Sequence, residues 1–459
     1  MRGRYHWFLV LVLSLAVALG YGLRAKSSTG GMDHAEYLRL ADNLFHQGHY
    51  AYSPDSVAAD GGAAREPGYP LLVAAVMAMD ATLAERAVAC VDSSDPGCRG
   101  VYRRLAAVHA ALLVLAGVVV FATLQGLTGR WLPAWLGWAY IVFNFQITKA
   151  AHLVKSDDLA LLLAAVSGLL LMATARRARW GLAAGAALAL LALTKTVFLY
   201  FSLLLMLGGI LTGIIAARRG VLMATLAIAV GFAPIVGGWA VRNHHHFGSW
   251  ALTDSRGSIA LSGREAYVHM TAAEYGLAWL AWTRGFGDSL MTRHFPREMW
   301  WRLDLYAPGG FYDEGYDSGW QRRAAQARQA GAVTPAEIDR AITRMVLTEI
   351  AANWPMYLAT LAPLFYRGLW VDEYILLGLP ALVWLVLRAW RRRDWASLAV
   401  LAPGLFSLLF YPAVSNNMPR LQFAAAPALA VAGALAVEAA WLGWRQRRRP
   451  AVAAPRAIG

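Results

Sequence analysis

The sequence predicts an all-α polytopic membrane protein, and three observations support this fold class. Hydrophobic residues make up 58% of the 459 residues and charged residues only 15%, which is more apolar surface than a soluble chain of this length can bury. Several apolar runs exceed the roughly 18 residues that cross a hydrocarbon core of ~30 Å. Because these runs are continuous rather than alternating, they predict helices and not a barrel.

The distribution of positive charge predicts the orientation in the membrane. A net charge of +14 would suggest a nucleic-acid partner in a soluble protein, but here the positive-inside rule accounts for it and argues against nucleic acid. Lys and Arg cluster in alternate connections, near residues 1–5, 126–130, 175–180, 217–220, 388–394 and 445–459. These segments are therefore predicted to be cytoplasmic, and both termini with them.

This charge bias predicts about ten spans, within a range of ten to twelve. They cover residues 6–23, 105–124, 131–148, 159–175, 181–217 as a hairpin, 221–241, 374–388, 395–412 and 421–442. Residues 181–217 must be a hairpin with Lys195 at its outer tip, because one helix of that length would measure about 55 Å. Two shorter apolar stretches with prolines, 67–79 and 354–366, are predicted to be juxtamembrane or re-entrant helices on the outer face, with a hairpin through the membrane as the alternative.

The chain is predicted to form a single transmembrane domain over residues 1–444, followed by a basic cytoplasmic tail at 445–459. Two long loops, 24–104 and 242–372, lie on the outer face. Nearly every acidic residue is on or beside the outer segments. Chemistry that needs carboxylates is therefore expected at that face.

Four other features of the sequence are explained without a catalytic or metal-binding role. Cys90 and Cys98 both fall in the first outer loop, where an oxidising compartment permits a disulfide; two unrelated free thiols are the alternative. Glu438 in the last span is predicted to face the bundle interior as a structural partner. The hydrolase-like letters at 287–290 match by chance, and the adjacent histidines 244–246 lack the spacing of metal ligands.

The stretch GMDHAEYLRLADNLFHQGHY at residues 31–50 is predicted to form an amphipathic helix on the outer membrane surface that ends at Gly48. Asp33 begins this helix and Glu36 follows three residues later, which is the pattern of a capping box. A cap uses one carboxylate oxygen and leaves the other free. A catalytic role for Asp33 is therefore compatible with capping.

A second acidic helix start follows Lys155, in the order Ser156, Asp157 and Asp158. Ser156 is predicted to cap the helix, and the aspartates favour its amino-terminal dipole. Two acidic helix starts at one membrane surface are nevertheless positioned to converge on a single cavity. Carboxylates there suit a reaction that deprotonates or orients a hydroxyl, or a site that holds a divalent cation.

Basic side chains at the same level indicate an anionic ligand. Lys195 stands in an otherwise apolar region, where a lone lysine is costly unless it reaches the interface or binds an anion. Arg65, Arg242 and Arg420 also lie at outer positions, and arginine is the natural bidentate partner of phosphate. Each alone is explained by a lipid headgroup, but together with the two acidic helix starts these four residues predict a lipid-phosphate substrate.

These motifs together resemble the GT-C glycosyltransferases, in the branch of the protein O-mannosyltransferases and the lipid A aminoarabinose transferase. The matching motifs are Asp33-His34-x-Glu36-Tyr37 with Gly48-His49-Tyr50, Arg65-Glu66-Pro67-Gly68-Tyr69-Pro70, Lys155-Ser156-Asp157-Asp158, Leu193-Thr194-Lys195, Trp239-Ala240-Val241-Arg242-Asn243 with Phe247-Gly248, and Pro419-Arg420. Each motif is short, and their order and sidedness carry the resemblance. The family's early loop contains amphipathic helices, in agreement with the placement of residues 67–79.

The resemblance implies a sugar donor attached to a polyprenyl phosphate. Asp33 matches the catalytic aspartate of the family's early loop, and the second acid corresponds to Asp157 or Asp158. Three further residues are expected to serve the acceptor or a secondary role: His34, Glu36 and Tyr69. A histidine stands where a second acid is often found, so no metal site is assigned, and a divalent cation stays an open alternative as cofactor.

The sequence therefore predicts an inverting glycosyltransferase, with Asp33 activating the acceptor hydroxyl and basic side chains stabilising the departing phosphate. The acceptor is a glycan, a lipid or a protein. The expected location is the bacterial inner membrane, with the active site facing the periplasm. The alternative is a multi-pass transporter or lipid flippase, which would predict inverted repeats and charge pairs deep in the spans.

Overall fold

A computed structural model of the chain describes residues 2–24, 32–52, 65–91, 98–151, 153–254, 256–305 and 307–447. Within these ranges the chain forms helices, turns and loops, without a β-strand. The predicted all-α class is confirmed.

The helices fall into four groups along the chain. The first group is α1 (Arg2–Arg24), α2 (Met32–Gln47), α3 (Gly68–Met77) and α4 (Ala81–Arg86). Seven bundle helices follow: α5 (Cys98–Thr128), α6 (Trp131–Val142), α7 (Phe145–Ala150), α8 (Asp157–Arg176), α9 (Gly181–Thr194), α10 (Val197–Ile215) and α11 (Arg219–Phe247). The third group is α12 (Arg256–Glu265), α13 (Ala272–Ala281), α14 (Gly287–His294), α15 (Phe311–Tyr316), α16 (Ser318–Gln329) and α17 (Pro335–Ala352). The last is α18 (Trp354–Leu369), α19 (Ile375–Arg392), α20 (Trp395–Val414) and α21 (Ala426–Arg447).

Seven helices of the described chain are long and apolar enough to cross a membrane. They are Gly3–Leu23, Cys98–Thr128, Asp157–Arg176, Val197–Ile215, Arg219–Phe247, Trp395–Val414 and Pro419–Arg447. The other three of the ten predicted spans differ in length or polarity. The span predicted at 131–148 is interrupted, α9 has only 14 residues, and α19 ends in a run of arginines.

The interruption of the span at 131–148 has a local cause. Asn144 accepts hydrogen bonds from the backbone N–H groups of Gln146 and Ile147 and so caps a new helix, α7. Its amide also donates to the buried carboxylate of Asp372, 2.7 Å away. A side chain that caps α7 and anchors the chain to the loop before α19 fixes the break at this point.

Close helix packing shapes the bundle around α9 and α11. A Cβ atom on Gly185 would come within 2.1 Å of the carbonyl oxygen of Ile228, and one on Gly231 within 2.1 Å of that of Leu182. Only glycine permits this approach of two backbones, which is a common device between membrane helices. The α9–α10 hairpin predicted from the sequence is present, and it turns at Lys195 and Thr196.

The structure also bears on three other predictions made from the sequence. Cys90 and Cys98 form a disulfide, as predicted, at the start of α5. Glu438 is buried and lies 3.4 Å from Arg130, so the predicted structural partner is an arginine of the α5–α6 turn. The loop predicted at 242–372 contains the short helices α12–α17, which build two small hydrophobic cores of their own.

Candidate active site

One cavity of about 470 Å³ brings together five of the ten predicted site residues. It lies where α2, the segment before α3, the start of α8, the α9–α10 turn and the loop after α20 meet, and α12 and α15 close its far side. The charged residues of its wall are Asp33, Arg65, Glu66, Lys155, Asp157, Lys195, Arg256, Asp339 and Arg420. A larger depression of about 720 Å³ runs along the exposed side of α17, but the residues that line it all come from that one helix.

Asp33 is held by two arginines. The Arg65 guanidinium donates to Oδ1 of Asp33 at 2.7 Å, and the Arg420 guanidinium donates to Oδ2 at 3.0 Å. Burial acts to raise the pKa of Asp33, but the two arginines outweigh it and hold that pKa well below its usual range. Asp33 is therefore an ionised carboxylate with both oxygens engaged.

The capping box predicted for Asp33 and Glu36 is wrong. Helix α2 begins at Met32, so Asp33 lies within the first turn rather than at the cap. Glu36 is paired with Arg65 and does not line the cavity. Both carboxylates form ion pairs with arginines from other parts of the chain.

The approach of Arg65 and Glu66 to the α9–α10 turn depends on Gly68. A Cβ atom on Gly68 would lie 2.4 Å from Oγ1 of Thr194, so only glycine allows α3 to start against the end of α9. The Thr196 hydroxyl then donates to Oε1 of Glu66 at 3.0 Å. Glu66 is not among the site residues predicted from the sequence.

The two aspartates at the start of α8 face different surroundings. Asp157 lines the cavity, and its Oδ1 is 2.6 Å from Nζ of Lys195. Asp158 is turned inward, with Oδ2 3.9 Å from Nδ1 of His109 and only 1% of its side chain exposed. Consecutive helical residues point about 100° apart, and at this helix start only Asp157 is directed into the cavity. Asp157 therefore lines the cavity and Asp158 does not, and the assignment of the second acid to one of them stays a prediction.

The side-chain cap that the sequence predicts for α8 is not formed. Ser156 occupies the N-cap position, but its side chain makes no capping hydrogen bond. Its hydroxyl lies 3.3 Å from the Tyr37 hydroxyl instead, which links α8 to α2 at the cavity wall.

Arg242 does not reach the cavity. Its guanidinium donates to the backbone oxygen of Tyr50 at 2.6 Å and packs over the rings of Trp239 and Phe247. The reason is that α11 continues to Phe247, past the predicted end at residue 241, so Arg242 stays within the helix. Its predicted role at the donor phosphate is not supported by this position.

His34 and Tyr69 lie behind the cavity wall rather than on it. His34 is buried near the Tyr102 ring, and neither ring nitrogen has a hydrogen-bond partner among the described residues. The Tyr69 hydroxyl lies 2.8 Å from Nε2 of His109, and its ring packs against Tyr37. These residues support α2 and α3 from the interior.

Two tyrosines of α15 were missed by the sequence analysis. Tyr312 and Tyr316 stack with their ring centres 5.0 Å apart and both line the cavity. The Tyr316 hydroxyl donates to Oδ1 of Asn416, in the loop that carries Arg420. Their spacing of four residues on a helix is the signal that was available in the sequence.

Three of the four carboxylates that line the cavity are bound by the chain's own groups, and the fourth, Asp339, has a buried Oδ1 without a hydrogen-bond partner among the described residues. Asp33 is bonded to two arginines, Asp157 to Lys195 and Glu66 to Thr196. A divalent cation at Asp33, Asp157 or Glu66 would have to displace these partners, so these three carboxylates do not fit a metal site. The described grouping with metal-ligand spacing, Glu265, His269 and Glu349, lies elsewhere, and Glu265 is paired with Arg323.

The helical bundle of the chain has the fold of solved oligosaccharyltransferase structures, which confirms the GT-C-like fold predicted from the sequence. Archaeal oligosaccharyltransferase AglB from Archaeoglobus fulgidus, in complex with an inhibitory peptide and a dolichol-phosphate, matches it with a TM-score of 0.54 and 13% identity. That match covers 100% of this chain and 53% of AglB, so the chain spans about half the length of this relative. No protein-family model and no curated protein sequence matches the chain.

Two further solved structures are similar to the chain. The A. fulgidus oligosaccharyltransferase tethered to an acceptor peptide matches with a TM-score of 0.52 and 14% identity, over 99% of this chain and 52% of that one. ArnT from Cupriavidus metallidurans bound to undecaprenyl phosphate gives a TM-score of 0.37 at 14% identity, over 95% of this chain and 80% of ArnT. At these identities the likeness to the oligosaccharyltransferase concerns the fold alone.

Proposed function

We propose that the protein transfers a glycosyl group from a polyprenyl-phosphate-linked donor to an acceptor bound in the cavity. The observation that carries this proposal is the meeting of two acidic helix starts, Asp33 and Asp157, with three paired cations in one cavity at the end of a membrane bundle. Such a cavity offers a base for a hydroxyl and positive charge for a leaving phosphate.

The shape of the cavity suits a lipid-linked donor. Its wall on the side of α10 and α20 is apolar, and both helices are long enough to span a membrane. The apolar and aromatic residues of this wall are Val197, Leu199, Tyr200, Phe410, Val414 and Leu421. A polyprenyl chain lying against this wall would place its phosphate at the polar end, beside the charged groups. The complex of AglB contains a dolichol-phosphate, a lipid of this chemical class.

In the proposed reaction an acceptor hydroxyl attacks the anomeric carbon of the donor from the side opposite the phosphate. The bond between that carbon and the phosphate oxygen breaks, and the configuration is inverted. Asp33 receives the hydroxyl proton. Because Arg65 and Arg420 make Asp33 a weak base, the proton moves late, once attack has made the hydroxyl acidic.

The sidedness of the reaction follows from the charge distribution. Lysine and arginine clusters favour the cytoplasm for both termini, which supports a cavity at the outer face of a bacterial inner membrane. The acceptor in this proposal is a glycan, lipid or protein that meets the donor there.

The test is a transfer assay with purified protein in liposomes and a panel of polyprenyl-phosphate sugars. We expect release of polyprenyl phosphate with at least one donor and its loss in Asp33→Asn. Asp288→Asn is the matched control, because Asp288 is an exposed aspartate away from the cavity. No release with any donor, together with movement of the lipid across the liposome membrane, would favour a flippase instead.

A further inference from the structure

The cations of the cavity differ in whether a carboxylate already neutralises them. Arg65 and Arg420 are paired with Asp33, and Lys195 is paired with Asp157. These are three of the four residues that the sequence assigned to the donor phosphate. If a phosphate took Lys195, the buried carboxylate of Asp157 would lose its cation, which is strongly unfavourable. If it took Arg65 or Arg420, Asp33 would lose one of its two partners.

Lys155 is different. It lines the same cavity, but no carboxylate of the described chain lies within 4.0 Å of its ammonium group. It is only partly exposed and stands immediately before Ser156, at the start of α8. A partly buried ammonium that faces a cavity without a counter-ion is available to an anionic ligand.

Charges of both signs surround Lys155. Burial lowers its pKa first, and repulsion by Arg420 and Lys195 lowers it further, whereas Asp157 and Asp33 act in the opposite direction. The balance is a lowered pKa, so the surroundings of Lys155 do not fully compensate the charge on its ammonium group. A bound phosphate would relieve this repulsion and add an ion pair.

We propose that Lys155 binds the phosphate of the lipid-linked donor. This inference rests on the proposed function and changes its assignment of roles. In it, Arg65, Arg420 and Lys195 fix the two carboxylates, and Lys155 holds the phosphate and compensates the charge that develops on it when the glycosyl bond breaks. The ligand class is a phosphate monoester or diester on a long apolar chain.

The test compares binding of decaprenyl phosphate and of the uncharged decaprenol to the full-length protein in phosphatidylcholine nanodiscs. Lys155→Ala is expected to weaken decaprenyl phosphate binding by about tenfold or more, because a charged hydrogen bond is lost. Lys155→Arg should retain most of the affinity. Lys149→Ala, which removes an exposed lysine outside the cavity, should leave it unchanged. Decaprenol should bind equally to all four proteins, and equal decaprenol binding verifies that the variants are folded.

The possible failures are distinguishable. If the wild-type protein binds decaprenol as tightly as decaprenyl phosphate, the proposed function is overturned. If the wild type prefers the phosphate and Lys155→Ala keeps that preference, the role of Lys155 is overturned while the function stands. If inorganic phosphate alone displaces the lipid at equal concentration, the site takes free phosphate, and the lipid-linked assignment is overturned.

Discussion

The ammonium group of Lys195 lies 2.6 Å from Oδ1 of Asp157, and this ion pair joins the turn of the α9–α10 hairpin to the start of α8. Only 4% of the Asp157 side chain and 17% of the Lys195 side chain are exposed. Each charge therefore depends on the other for compensation. The pair also fixes which of the two α8 aspartates faces the cavity.

Replacing Lys195 with methionine is expected to lower the free energy of unfolding by about 3–5 kcal/mol, because it leaves a buried carboxylate without a cation. Adding Asp157→Asn to Lys195→Met should recover most of that stability but not the transfer activity. Thermal unfolding in detergent measures the first effect, and release of polyprenyl phosphate the second. Equal destabilisation in the single and the double variant would contradict the pairing.

Asp33→Asn is expected to abolish transfer while donor binding is largely retained, because it removes the proton acceptor but keeps the shape of the side chain. The lowered pKa of Asp33 gives a second expectation. A carboxylate with a depressed folded-state pKa contributes stability above its unfolded pKa of about 3.9, and loses that contribution only as the pH falls through the lower folded value. Activity measured in mildly acidic buffer should therefore not fall through protonation of Asp33. A loss of activity that titrates near pH 5 and disappears in Asp33→Glu would speak against this assignment.

Affinity for decaprenyl phosphate is expected to decrease at alkaline pH, before the range in which an ordinary lysine loses its proton. The cause is the lowered pKa of Lys155, which faces Arg420, Lys195, Asp157 and Asp33. As the pH rises through that lowered value, the ammonium loses the charge that attracts the phosphate. Binding measured across this range should become nearly independent of pH in Lys155→Arg, because arginine stays protonated. An unchanged pH profile in that variant would assign the titration to another group.

Gly68→Ala is expected to lower both stability and activity. The added methyl group would collide with the Thr194 hydroxyl, and moving α3 away costs about 1–3 kcal/mol and separates Arg65 from Asp33. Gly276→Ala is the matched control, since nothing lies within 4 Å of a Cβ atom at that helical position. Thermal unfolding and turnover of both variants measure the difference. Equal behaviour of the two would show that the approach of α3 to α9 is not required.

Arg242→Ala is expected to reduce stability and leave the KM for the donor unchanged. The side chain holds the backbone of Tyr50 and covers Trp239, so its loss removes packing and a charged hydrogen bond worth about 1.5–3 kcal/mol. Unfolding midpoints and donor titrations separate the two effects. A raised KM with unchanged stability would restore the phosphate-binding role predicted from the sequence.

Local patterns predicted much of the architecture. The class of the fold, the amphipathic helix that carries Asp33, the turn at Lys195 and the Cys90–Cys98 disulfide all follow from hydropathy, helical spacing and residue type within short windows. Local patterns were less reliable at polar residues inside apolar runs. Asn144 interrupts a predicted span because Asp372, far along the chain, supplies its partner.

By itself, the sequence determined that this chain is a helical membrane protein with acidic and basic groups at one end, since hydropathy, spacing and charge are properties of neighbouring residues. The tertiary structure alone decided how those charges are paired. Arg420 meets Asp33 across 387 positions, Arg242 packs away from the cavity, and Asp157 rather than Asp158 faces it. The physical reason is that an ion pair depends on the distance and rotation of helices that pack together only in the folded bundle. The spacing of residues along the chain does not encode which cation of the cavity lacks a carboxylate partner. Among the described residues, Lys155 is such a cation.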